Sequence, residues 1–288
     1  MKSLLLTGAN GFVGSYFKSK YANKYNIQIF SFLQDDFKSL HVEGIEVVVH
    51  LSALVHQMGG AAEEEYERVN VTQTLDLARK AKENGVKQFV FMSTVKVYGE
   101  ETNVAYSETT ECMPEDGYGK SKLKAERELL KLESDDFKVS IIRTPIVYGH
   151  GVKANIKNLI RLVQKVSVLP FGNIQNRRSM VYVGNLCNMM DVVIQKEVSG
   201  LFLASDDRAV STTELIELIA KALDKKIYLI QVPFFESLLK LVKPSFHKRL
   251  YGSLEVDNTL TKERLDLVNP YSLEEGIRLM INKDNVDI

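Results

Sequence analysis

SLLLTGANGFVG, residues 3–14, decides the fold. An apolar run ends in glycines 8, 11 and 14, spaced G-x-x-G-x-x-G, and a helix-forming stretch over 13–24 follows. The run has the length and composition of a buried strand. Glycine lets the backbone turn tightly and approach a pyrophosphate, which the amino end of the following helix then stabilises. A strand before the loop and a helix after it turn a weak motif into an expectation of dinucleotide binding. An ordinary glycine-rich strand–helix turn is the alternative.

Working outward, IQIFSFL (27–33), EVVVHLS (46–52), QFVFMS (88–93) and KVSIIR (138–143) read as further strands. Helical composition covers 61–84, with Gly85 placed to stop it, and 118–132. Strands alternating with helices imply βαβ units and a parallel sheet. The predicted fold is α/β, with a doubly wound Rossmann-type sheet over residues 1–150. A smaller α/β substrate region over 151–288 follows, with part of the chain crossing back to the first. In that second part Ser211 with Glu214, and Ser272 with Glu275, fit capping boxes. Short strands are expected at 179–183, 201–204 and 227–232. No low-complexity linker separates the two parts, so they are expected to pack together.

Composition narrows the function classes. The chain has 288 residues, 45% apolar and 26% charged, which excludes bulk disorder. Lys plus Arg, 37, equals Asp plus Glu, 37, so the basic excess of a nucleic-acid protein is missing. Two cysteines, Cys112 and Cys187, cannot build a disulfide framework, and a reducing compartment is expected. The apolar run at 3–7 is too short for a signal peptide, and no uncharged run approaches the ~20 residues of a membrane span. A cytoplasmic protein without a metal site is the expectation.

Tyr118-Gly119-Lys120-Ser121-Lys122 sets a tyrosine and a lysine four apart, on one face of a helix. A nearby ammonium favours the phenolate, so the pair can exchange a proton with a substrate hydroxyl or carbonyl. Alone, such a pair equally fits an ordinary surface helix. FMSTVKVYG (91–99) adds two hydroxyls, Ser93 and Thr94, at the carboxyl end of a strand, where parallel sheets bind ligands.

With these residues the chain resembles the extended short-chain dehydrogenase/reductase family, in particular its nucleotide-sugar epimerases and reductases, over nearly its whole length. The resemblance implies catalysis by Thr94, Tyr118 and Lys122. It implies a cofactor held by Gly8, Asn10, Gly11, Phe12, Val13 and Gly14, by Leu51, Ser52 and Ala53 of the HLSA segment, and by Asn70, Ser93 and Pro145. RTPIVYG (143–149) matches a segment near the nicotinamide and substrate. RRSMVYV (177–183) and ANI (154–156) imply a nucleotide diphosphate held by Arg178 and Asn155. His56, in a loop over the sugar, and Lys96 complete the expected substrate contacts. A homodimer through the helices at 61–84 and 118–132 is the expected assembly.

Two departures from the family pattern matter. Only about a dozen residues lie between Leu33 and Glu46, where the family usually has a further βα unit. Asp36-Phe37 stands in for the family's contact to adenine. An NAD-specific site usually carries an acid at the end of the second strand; here Ser31 falls there, Asp35 and Asp36 come later, and no arginine is present for a 2′-phosphate. NAD is expected, with NADP admissible.

The resemblance implies a UDP-sugar 4-epimerase working through a 4-keto sugar. The alternatives are an NAD(P)H-dependent reductase of a UDP-4-keto-6-deoxy sugar and a non-catalytic dinucleotide-binding module. A dehydratase is disfavoured, because Val95 and Lys96 occupy the places of its acid and base. VPFFESLLKLVKPSFHKRL (232–250) mixes apolar and basic residues. It is expected to be a helix packed inward on the substrate region and ended by Pro244, with a membrane-surface helix as the alternative.

Overall fold

The computed structural model describes residues 1–55 and 61–282. Its strands are β1 (Lys2–Thr7), β2 (Tyr25–Phe30), β3 (Val47–His50), β4 (Gln88–Thr94), β5 (Lys138–Thr144), β6 (Ile146–Tyr148), β7 (Val168–Leu169), β8 (Met180–Tyr182), β9 (Gly200–Leu203) and β10 (Tyr228–Leu229). Its helices are α1 (Phe12–Tyr21), α2 (Glu63–Tyr66), α3 (Gln73–Glu83), α4 (Gly117–Leu130), α5 (Ala154–Lys165), α6 (Val183–Lys196), α7 (Thr212–Ala222), α8 (Phe235–Val242), α9 (Pro244–Tyr251), α10 (Thr259–Leu265) and α11 (Leu273–Asn282). A π-helical stretch, Glu67–Thr72, joins α2 to α3.

Six parallel strands form the main sheet in the order β2-β1-β3-β4-β5-β9. The chain leaves β1 for β2 on one side and then returns to place β3 on the other. Ligands of open parallel sheets bind outside the carboxyl ends of the strands at such a reversal. Register brings those ends together: Thr7 lies opposite His50, and Thr94 opposite Thr144. Only a 3-10 turn, Phe37–Ser39, lies between β2 and β3, so the missing βα unit leaves β2 as the sheet edge.

Strand alternation divides the core. Leu4, Leu6, Val47 and Val49 pack with Phe17 of α1 and Val193 of α6. Leu5, Val48, Phe89 and Phe91 pack on the other face with Leu75 of α3 and Leu129 of α4. Strands buried on both faces read as unbroken apolar runs, which is why 3–7 and 46–52 are legible. Two-stranded pairs, β6 with β8 and β7 with β10, build the smaller region. β9 crosses back from it to complete the main sheet.

The second strand lies earlier than expected. The Ser31 amide donates to the Asp35 carboxylate at 2.8 Å and folds the chain away at residue 31. At its start, the Tyr25 hydroxyl is anchored on Asp191 at 2.6 Å. Both capping boxes form on their serines, with the Glu214 amide donating to Ser211 at 3.1 Å and the Glu275 amide to Ser272 at 3.2 Å. The stretch 232–250 departs from expectation: Pro244 divides it into two helices, and α8 buries none of its residues. Among the described residues no helix is long and apolar enough to cross a membrane.

Candidate functional site

The glycine loop is built for close approach. Gly8 has φ +70°, and a Cβ there would lie 2.9 Å from the backbone of Leu51 and Ser52 after β3. A Cβ on Gly14 would stand 2.2 Å from the Gly8 carbonyl oxygen, so only glycine lets α1 start against the loop. No side chain caps α1 and no acid lies in its first turn. Its amino end therefore offers backbone N–H groups to an anion without a competing carboxylate, which fits a dinucleotide pyrophosphate. Asn10, Gly11, Phe12 and Val13 form the turn and the first helical residues. Gly14→Ala is expected to cost about 1–3 kcal/mol through forced backbone movement. It should also weaken NAD binding by at least about tenfold, as calorimetric titration would read; unchanged affinity would remove the loop from the cofactor site.

Behind the loop runs a buried polar chain. Thr74 Oγ1 donates to the Asn70 carbonyl at 2.9 Å, so it accepts from His50 Nε2 at 2.9 Å. His50 Nδ1 is left to accept from Thr7 Oγ1 at 2.8 Å, and that oxygen accepts from the Ser52 amide at 3.2 Å. Burial, and Lys122 beside it, push the imidazole down to about 3, so it is neutral. Asn70 sits in the π-helical stretch, a distortion frequent at functional sites. Its amide donates to the Leu54 carbonyl at 3.0 Å and to Ser121 at 3.0 Å, and its oxygen accepts from the Leu54 amide at 2.8 Å. Asn70 thus ties Leu54, and with it the end of the segment Leu51, Ser52, Ala53, to α4 rather than facing open space.

Asp116 caps α4 by accepting from the Gly119 amide at 2.6 Å and draws its first turn against β4. Tyr118 and Thr94 then face one cavity of about 600 Å³, walled also by Lys96, Pro145, Asn155 and Arg178. Five of the six expected catalytic and substrate residues among the described ones therefore meet there, and Pro145 with them. The sixth, Lys122, lies behind the wall, only 2% exposed. His56 lies outside the described residues.

Ser93 is a correction. Alternation along β4 turns it to the opposite face from Thr94, where its hydroxyl donates to the buried Glu126 carboxylate. Its side chain is therefore not available to a cofactor. The same carboxylate holds Arg143 at 2.6 Å, with both side chains almost fully buried. Arg143 stacks on Tyr98, 4.6 Å from its ring centre.

The electrostatics also differ from expectation. Burial pushes the Tyr118 phenol up, as do Asp116 and Tyr66; Lys122 is not among the groups acting on it. The reason is geometric: Lys122 Nζ donates to the Met92 carbonyl at 2.7 Å and lies 4.2 Å over the Phe91 ring. Burial lowers Lys122 to about 7, against the pull of Glu126.

On the substrate side, Arg178 donates to the Gly252 carbonyl at 3.0 Å, and burial lowers its pKa. Asn155 stands in the first turn of α5. The Lys96 ammonium is held by Glu100 at 2.6 Å and Asp116 at 2.8 Å. Thr144, Ser179, Ser245, Lys248 and Arg249 line the cavity without having been singled out for it. Ser179 adjoins Arg178, which was a usable signal; α9 reaches the wall only through the tertiary fold.

On the adenine side, Asp36 caps its own turn by accepting from the Lys38 amide at 3.0 Å. Phe37 stacks on Phe32, with ring centres 5.8 Å apart. Asp35, not Asp36, folds back to Ser31 at the end of β2. A carboxylate there suits a ribose 2′-hydroxyl and repels a 2′-phosphate.

The chain belongs to the NAD dependent epimerase/dehydratase family, whose model matches residues 4–202. It is 40% identical to the UDP-glucose 4-epimerase of Vibrio cholerae, covering 96% of this chain and 94% of that one. It is 26% identical to the N-acetyl-alpha-D-glucosaminyl-diphospho-ditrans,octacis-undecaprenol 4-epimerase of Escherichia coli O157:H7, covering 96% and 93%. The fold is shared with UDP-glucuronic acid 4-epimerase from Bacillus cereus, solved with NAD, at a TM-score of 0.77, 18% identity and 97% coverage of both chains.

Proposed function

We infer that the chain is an NAD-dependent UDP-sugar 4-epimerase with Tyr118, Thr94 and Lys122 as its catalytic residues. The observation that carries this reading is the meeting of Tyr118, Thr94 and Arg178 on one cavity at the carboxyl ends of the strands. Arg178 holds the diphosphate, with Asn155 and Lys248 beside it. Tyr118 takes the proton of the sugar 4-hydroxyl and later returns it. Thr94 donates a hydrogen bond to the same oxygen as charge develops on it. NAD, when bound, would supply the hydride acceptor and donor for carbon 4. Between the two transfers the sugar turns its other face, while the anchored diphosphate stays in place. Lys122, one turn along α4, supplies the cation for the phenolate once Nζ turns from Met92 toward it.

Purified protein incubated with UDP-glucose or UDP-N-acetylglucosamine, with no cofactor added, is expected to produce the 4-epimer. The anomeric NMR signals report it. No change until NADPH and a 4-keto sugar are supplied would instead make the chain a reductase. Cofactor bound with no turnover on either substrate would make it a binding module.

Asp35 supports NAD over NADP. Asp35→Arg is expected to improve relative NADP binding by about tenfold, since a charge-assisted contact replaces a repulsion. Equal relative affinities for the two cofactors before and after the change would remove Asp35 from that role. A homodimer through α3 and α4 belongs to the same reading, and a monomer mass in sedimentation would remove it.

A lipid-linked sugar is the second reading. The diphosphate anchor would serve it equally, as the name of the E. coli relative suggests, and the exposed apolar helix α8 beside the cavity favours it.

A further inference from the structure

Of the nineteen large apolar side chains exposed among the described residues, eight fall between residues 228 and 246. The concentration is not an ordinary scatter of surface leucines, because single exposed apolar residues need no explanation and contiguous ones do.

Helix α8 shows how the patch is made. At 100° per residue, Phe235 and Leu239 occupy one edge of its apolar arc, and these two pack partly against the core. Val242, Leu238 and Leu241 carry the arc on around the helix, away from that core, and Leu241 is 82% exposed. Glu236 lies beside the core-facing edge, and Lys240 lies on the flank of the exposed arc, one residue before Leu241. A helix that merely covered a core would end its apolar arc at the core's margin. Phe234, just before the helix, is 86% exposed and has φ +62°. A bulky residue in the left-handed region stores strain and here gains no burial for it, a combination found at functional positions.

Charge identifies what covers the patch. Lys240, Lys243, Lys248 and Arg249 share the stretch with a single acid, Glu236, which faces His247 at 3.2 Å, while Lys248 faces Glu115 at 3.5 Å. Lys240 and Lys243 have no ion-pair partner among the described residues. A second copy docked by two-fold symmetry would set these lysines near each other, with Glu236 as the one carboxylate of the two helices to meet them. An anionic bilayer meets both demands, taking apolar side chains into the headgroup–acyl boundary and lysines at its phosphates.

We propose that α8 and the residue before it form a contact surface for an anionic lipid membrane, with Phe234, Leu238 and Leu241 inserted and Lys240 and Lys243 on the headgroups. The surface is argued from exposure and charge, and it does not depend on which sugar the cavity takes. Its consequence for the site is positional. α9 follows α8 directly and gives Ser245, Lys248 and Arg249 to the cavity wall, so docking sets the cavity beside the bilayer.

The test is flotation of the full chain with vesicles of phosphatidylcholine, with and without phosphatidylglycerol. Binding is expected to be about tenfold or more stronger to the anionic vesicles and to weaken as salt is raised. Lys240→Ala/Lys243→Ala should reduce it by about 25-fold, at about fivefold per lysine. Leu238→Glu/Leu241→Glu should abolish it, while melting temperature and turnover of a soluble nucleotide sugar stay unchanged. Failure of the native chain to float with anionic vesicles overturns the proposal. So does equal flotation of the Leu238→Glu/Leu241→Glu variant. A concentration-dependent dimer abolished by that variant would assign the face to a second copy instead. Loss of epimerase activity in every form would count against the functional reading and leave the flotation result standing.

Discussion

Tyr118→Phe is expected to lower kcat by about 10²–10⁴-fold, the usual contribution of a positioned general acid–base. The change removes one hydroxyl from the wall of a preformed cavity. Its ring environment, 6.5 Å from Tyr66 and beneath the Asp116 cap, is untouched. Nucleotide binding through Arg178 should therefore persist, and the apparent affinity for a UDP-sugar should shift by no more than about threefold. The variant's residual rate should also be flat across pH, because it has no phenol left to titrate, so the loss should grow as pH rises. In the native protein the phenol is pushed up by burial and by Asp116, so the active phenolate should be favoured as pH rises. A variant turning over within a few fold of the native rate would show that Tyr118 does not move the proton.

Lys122→Met is expected to lower kcat/KM by about 10²–10³-fold while making the fold more stable. Stability here runs against function. In the unfolded chain the amine titrates at its ordinary 10.5; in the folded protein burial brings it down to about 7. Between these values the unfolded state holds a proton that the folded state lacks, so stability rises with pH across that window. Below about 7 both states are charged, and the folded protein carries the whole cost of burying the ammonium. The bond to the Met92 carbonyl and the contact with the Phe91 ring offset part of that cost. Methionine fills similar space without charge. A gain of about 1–3 kcal/mol, or roughly 3–10 °C in melting temperature, is expected near pH 6. It should shrink as pH rises toward 10.5, the residue's ordinary value. Thermal melts of both proteins across pH would show the two curves converging. Parallel curves would mean that the amine is not held near neutrality.

What could be read from the chain is what depends on neighbours in sequence. The glycine loop, the apolar strands and the Tyr118–Lys122 spacing are local, and each appears where its chemistry requires. Even the missing βα unit is visible as a shortage of residues before Glu46. What could not be read depends on side chains brought together from afar. Glu126 lies on α4 and Arg143 on β5, and only their packing shows that Arg143 and Ser93 are spent on one buried carboxylate. The four-residue spacing places Tyr118 and Lys122 on one helix face, yet it does not say that Nζ will find the Met92 carbonyl first. Asp35 reaches the end of β2 only through a tight turn. Period reveals the apolar arc of α8 but not what lies against it, so the expectation that 232–250 packs inward holds only for one edge of α8 and for α9.

The crossing of β9 bears on how the chain must be made. β9 pairs along β5 from Ser140 to Arg143, with Ile141 opposite Leu201, and so supplies the ladder partners for that edge of the sheet. A ribosome delivers β1 to β5 first and withholds β9 until some sixty residues later. In that interval β5 presents unpaired amides and carbonyls on a greasy strand, an invitation to neighbouring nascent chains. Synthesis as far as β9 is therefore what protects the first half from clumping, and a messenger truncated before residue 200 should yield inclusion bodies.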